Sequence, residues 1–170
     1  SLAQASDLAE SLRPRLRAWL QLQLSILAER AVRSVELVEA QKICGSWGWL
    51  MAGECVQPGR HWIRMVKDLT GAKSLPDLLR QLQRGIPDVT FLPSEITLKR
   101  WSSGSVFPPF DDALKIFVER VAQRAHVHQP SLDKDRASLA VLKTHAAANR
   151  IYHLSSMAAV LEVNYAEVMR

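Results

Sequence analysis

The sequence lacks the features that would place it among membrane or disulfide-framed proteins. Cysteine occurs twice, as Cys44 and Cys55, both in one apolar stretch. A secreted disulfide scaffold carries more of them in a shorter chain, so two reduced, partly buried thiols are expected. No stretch approaches the roughly 18 uncharged apolar residues that span a bilayer, and residues 1–10 lack the basic-then-apolar order of a signal peptide. A soluble, cytoplasmic protein with no membrane partner follows as the expectation. Low-complexity segments, internal repeats and a convincing pair of strands are also missing.

Chemical signatures are equally scarce. No Gly-x-Ser-x-Gly elbow is present, and neither cysteine sits in a catalytic signature. Gly71-Ala72-Lys73-Ser74 ends like a P-loop but lacks the glycine before the lysine and the upstream glycine, so it cannot wrap phosphates with backbone amides. His126 and His128, with His145 and His153 downstream, lack the four-ligand spacing of structural zinc and the His-Glu-x-x-His of catalytic zinc. They are expected to be surface histidines. Asp111 and Asp112 are adjacent, diverge by about 100° on a helix, and make a poor catalytic pair. The expectation is no enzyme activity, no cofactor and no metal.

What the chain does have is size, apolar content and positive charge. At 170 residues, with 48% hydrophobic and 23% charged residues, it can bury a core without disulfides. The net charge is +5 and the pI about 9.6, a sign that attracts polyanions, nucleic acid foremost.

Residues 1–40 carry helical periodicity through Leu8, Leu12, Leu16, Trp19, Leu20, Ile26, Leu27, Val35 and Val38. Ser6 or Asp7 caps the start, and Pro14 kinks the helix or divides it in two. The helix over residues 7–38 is either core or a dimerisation face. Between residues 45 and 60, five glycine or proline positions punctuate an apolar connection with a turn at Gln57-Pro58-Gly59. The closely spaced Trp47 and Trp49 are either core or a stacking platform. Short helices follow: one over 61–69 stopped by Gly71, and one capped by Ser74 with Pro76 in its first turn. A third is capped by Ser94 and ends at Gly104, and a fourth begins at Asp111-Asp112. Pro87 and Pro93 keep residues 85–93 out of regular helix. A polar connection spans 126–135, and residues 133–170 are helical with a break near 153–156. The fold class is all-α, a multi-helix bundle in three segments: 1–57, 58–125 and 126–170.

Within the middle segment, Leu98 and Trp101 face inward from a short capped helix, leaving Glu95, Thr97, Lys99 and Arg100 outward. Lys99-Arg100-Trp101-Ser102-Ser103-Gly104, then Pro108, then Asp111-Asp112-Ala113-Leu114-Lys115-Ile116-Phe117 resembles the phage-repressor and Cro-type helix-turn-helix family. There a recognition helix ends in Arg-Trp-Glu-x-Gly ahead of a proline and another amphipathic helix. Trp62 to Leu69 looks like the family's first helix, and Ser74-Leu75-Pro76-Asp77-Leu78-Leu79 like its second. The resemblance covers about residues 61–122 and is most specific over 97–117.

The resemblance implies a transcriptional regulator that binds double-stranded DNA as a homodimer. Glu95, Thr97 and Lys99 would face bases, and Arg100, Arg64 and Lys73 would meet phosphates. The chain departs from the family in three places. About nine extra residues separate the second and third helices, Ser102 stands where an acid is usual, and Glu95 stands where a glutamine often reads adenine. The alternative is an all-α adaptor in which this helix is structural and the basic surface meets an acidic protein. Residues 156–170 also look like the start of another helix-turn-helix pattern, or a plain helical hairpin.

Overall fold

The structure, a computed structural model, describes residues 2–50, 57–85 and 91–160, with side chains over 10–48, 57–85 and 91–159. Among them are seven α-helices and one 3-10 turn, with no strand: α1 (Leu2–Arg33), α2 (Val35–Cys44), the 3-10 turn (Trp47–Leu50), α3 (Pro58–Thr70), α4 (Leu75–Gln83), α5 (Glu95–Ser103), α6 (Asp112–His128) and α7 (Lys134–Val160). The protein is an all-α bundle, and no helix among the described residues is long and apolar enough to cross a membrane.

The short helices are set by local chemistry. Ser74 Oγ accepts the amide of Asp77, Ser94 Oγ that of Thr97, and Asp111 Oδ1 that of Leu114. Each satisfies a donor that the first helical turn leaves unpaired. Gly71 and Gly104 close α3 and α5 in the left-handed conformation, at φ 69° and 75°, where a Cβ is strained. Gly71-Ala72-Lys73-Ser74 is therefore a helix-to-helix junction.

Several boundaries differ from the sequence expectation. α1 runs through Pro14, and the N-terminal helical run divides at Ser34 instead, with ψ of 121°. Pro58 does not make a turn; it occupies the first turn of α3, where its missing N–H costs nothing. Gly59 follows because a Cβ there would stand 2.7 Å from the Trp101 carbonyl oxygen. α6 continues to His128, three residues into the expected connection, with Ala125 still buried. No break occurs at 153–156. Ser155 and Ser156 donate to the Tyr152 carbonyl (3.0 and 2.8 Å), which removes their competition with the helix, while Leu154 and Ala158 continue the buried stripe. Residues 161–170, and with them most of the C-terminal hairpin reading, lie outside the described residues, as do Cys55 and most of 85–93.

Two cores share α7. The first joins α3 to α6 around Trp62, Leu98, Trp101, Phe117 and Val121, with Val141 and Ala148 from α7. Trp62 and Trp101 meet edge to face at 6.4 Å, and Trp101 meets Phe117 likewise at 5.8 Å. The second holds Leu20 and Leu24 of α1, Ala40 of α2 and Trp47 against Ala140, Ala147, Ile151, Leu154 and Ala158. Trp47 is thus a core residue, its Nε1 donating to Thr144 Oγ1 (3.3 Å). Cys44 is a free, half-buried thiol whose pKa burial pushes up to about 11.

His145 is the clearest departure among the histidines. Expected on the surface, it is 1% exposed, packed on Trp62 and Phe107, with Nε2 donating to the Pro108 carbonyl (2.9 Å). Burial holds its pKa below 6.5, so it is neutral at physiological pH.

Candidate nucleic-acid interface

α5 turns Leu98 and Trp101 into the first core and leaves Ile96, Lys99, Arg100 and Ser103 exposed. Its position follows from contacts at both ends. Trp101 is held between Trp62 and Phe117, and the close approach at Gly59 brings the first turn of α3 against the last turn of α5. α4 packs on α5 and α6 through Leu78 and Leu82. The result is a shallow recess of about 450 Å³ lined by Gln57 and Arg60 from the start of α3, Leu75 from the start of α4, and Lys99, Ser102 and Ser103 from α5.

Of the six residues singled out by the sequence, Lys99 alone lines this recess, and the others differ in position and state. Lys99 lines it but is held by Glu95 across one turn (2.7 Å), so each offsets the other's charge. Thr97 is occupied by the cap: its amide donates to Ser94 Oγ, and the two hydroxyls lie 3.0 Å apart. Arg100 is exposed, and its carbonyl accepts from the Ser103 and Ser105 hydroxyls (3.0 and 3.1 Å), which closes the end of α5. Lys73 sits just before α4, beside Leu75. Its amide donates to Asp77 Oδ2 (2.9 Å), and its ammonium-bearing side chain is exposed. That amide is the main reason the Asp77 carboxyl lies below its ordinary value. Arg64 projects from α3 one turn beyond Arg60, outside the recess itself.

Two residues were missed. Arg60 lines the recess and stands four positions before Arg64; neither forms an ion pair with a described residue. Like charges at this spacing destabilise a helix by about 0.2–0.5 kcal/mol. His61 between them registers the field: burial first, then Arg64 and Arg60, hold its pKa below 6.5. The spacing of the two arginines was the available signal. Ile96 is the second, 66% exposed on the outer face of α5. A large β-branched side chain in that setting is suited to apolar contact, such as with a thymine methyl.

No group of three or more His, Cys, Asp or Glu side chains able to hold a metal occurs among the described residues. No family model matches the chain, and neither does any curated protein or any solved structure.

Proposed function

We propose that the chain is a helix-turn-helix DNA-binding protein acting as a transcriptional regulator in the cytoplasm, without catalytic activity. The observation that carries the reading is the shared recess, where the starts of α3 and α4 meet the outer face of α5. A helix N-terminus beside cationic side chains suits a phosphate, and an exposed helix face beside it suits the major groove. Arg60, Arg64, Lys73 and Arg100 contact phosphates. Ile96 and Lys99 meet base edges, with Glu95 positioning Lys99 and Thr97 fixing the helix start.

Homodimerisation belongs to the same reading, because two half-sites multiply a modest single-site affinity. Supporting it are Leu12, Trp19 and Leu22 of α1, which are 39%, 40% and 56% exposed at spacings of seven and three. A second reading, docking of an acidic protein, draws on the net charge of +5, with the exposed apolar residues Phe91, Ile96 and Phe110 as further contact surface.

The test is fluorescence anisotropy with a labelled random-sequence duplex, from about 50 to 200 mM salt. The DNA reading expects binding that weakens steeply as salt rises. Absence of binding at the low-salt end contradicts it and favours the protein partner.

A further inference from the structure

Away from the α5 surface, α1 and α2 separate at Ser34 and face α7 across a recess of about 460 Å³. That volume lies within the range typical of small-molecule sites, roughly 300–1,000 Å³. Its apolar wall is Leu27, Leu37 and the ring of Trp47; its cations are Arg30, Lys143 and Arg150. The space exists because α7 presents Ala146 and Ala147 there, too short to fill the gap left by the diverging helices.

Only part of the positive charge is used internally. Lys143 pairs with Glu36 (2.6 Å), and Arg150 donates one of its N–H groups to Gln23. Arg30 has no hydrogen bond or ion pair from its side chain among the described residues. The recess therefore keeps an excess of two positive charges, counting three cations against Glu36. Guanidinium groups present planar forks that match a carboxylate.

We propose that this recess binds a small amphiphilic monocarboxylate, its aliphatic body against Leu27, Leu37 and Trp47 and its carboxylate held by Arg30 and Arg150. Both halves are needed. Covering the apolar wall rewards an apolar body, while guanidinium donors not used within the chain reward an anion over a neutral headgroup.

The experiment is isothermal titration calorimetry of the full chain with octanoate and, separately, 1-octanol, in the absence of DNA. Octanoate is expected to saturate at one per chain and to bind about tenfold or more tightly than 1-octanol, as charge-assisted hydrogen bonds demand. Arg30→Gln with Arg150→Gln should weaken octanoate about tenfold and leave 1-octanol unchanged. Ala146→Trp, at an exposed position in the recess wall, should abolish both, with far-UV circular dichroism reporting an intact fold. No saturable octanoate binding, equal binding of the two ligands, or wild-type octanoate affinity in a folded double-arginine variant overturns the proposal. Since the wild-type comparison needs no mutant, loss of folding in a variant does not rescue it.

Discussion

The two halves of the molecule are built on different plans. The α3–α6 half uses short helices with side-chain caps at Ser74, Ser94 and Asp111, wrapped around Trp62, Trp101 and Phe117. The α1–α2 half sets the 32-residue α1 and the ten-residue α2 against the long α7 and has no side-chain cap bond at Ser34. It packs Leu20, Leu24, Trp47, Ile151 and Leu154 among five alanines, Ala31, Ala40, Ala140, Ala147 and Ala158. Bulky aromatics interlock and leave little room; alanines allow close approach but leave hollows where helices diverge. The first plan yields an interlocked platform for the α5 face, and the second a recess walled by α1, α2, the 3-10 turn and α7.

The sharpest way to break that contrast is to remove volume on each side. Trp62 is fully buried, touches Trp101, Phe117 and His145, and donates to the Val141 carbonyl (3.4 Å). Trp62→Ala is expected to cost about 3–5 kcal/mol in urea denaturation. Leu27→Ala, at the half-buried wall of the open recess, should cost about 1 kcal/mol. Equal losses would mean the α1–α2 half is as tightly packed as the other.

A smaller effect sharpens the difference in capping. Ser94→Ala and Asp111→Ala each remove an acceptor from a helix start and should cost about 1 kcal/mol in thermal or urea melts. Ser34→Ala, with no cap bond to lose, should fall within about 0.5 kcal/mol of wild type. A larger loss at Ser34 than at Ser94 would reverse the assignment of which half depends on its caps.

The smallest expected effect is a pH dependence. His145 has a folded pKa below its ordinary 6.5, as does His61, so protons bind the unfolded chain more readily. The associated stability is complete above about 6.5 and is lost as pH falls through the folded values. Asp77, Asp112, Glu36 and Glu39, with carboxyls lowered by hydrogen bonds and cations, add their loss only at more acidic pH. Urea midpoints should fall between pH 7.5 and 5, and the fall should be shallower in His145→Leu. An unchanged pH slope in that variant would remove His145 as its source.

The same contrast explains what could be read from the residues alone. Ser74, Ser94, Asp111, Gly71 and Gly104 act within one turn, so the end of α3, the starts of α4 and α6 and both ends of α5 were legible, as was the inward pair Leu98 and Trp101. The start of α3 at Pro58, by contrast, was read as a turn. Ser34 divides two helices without a proline or glycine to announce it. Pro14, which would announce a division, sits inside α1. The continuity of α7 depends on Ser155 and Ser156 bonding to their own helix while Leu154 and Ala158 are buried. The burial of His145 depends on Pro108, distant in sequence. The basic side chains at the α5 surface were partly visible, but Arg60 joins them only once α3 and α5 meet at Gly59. The second recess draws on residues from 23 to 150, and no local pattern marks it.

The central claim, phosphate contact by the surface around α5, is tested most directly by the salt dependence of duplex binding in wild type and in Arg60→Ala and Arg100→Ala. Each substitution should weaken binding to any duplex sequence and lower the log–log salt slope by about 0.9, one phosphate contact apiece. Slopes identical to wild type in both variants would contradict the claim and leave the α5 surface without a role in DNA binding.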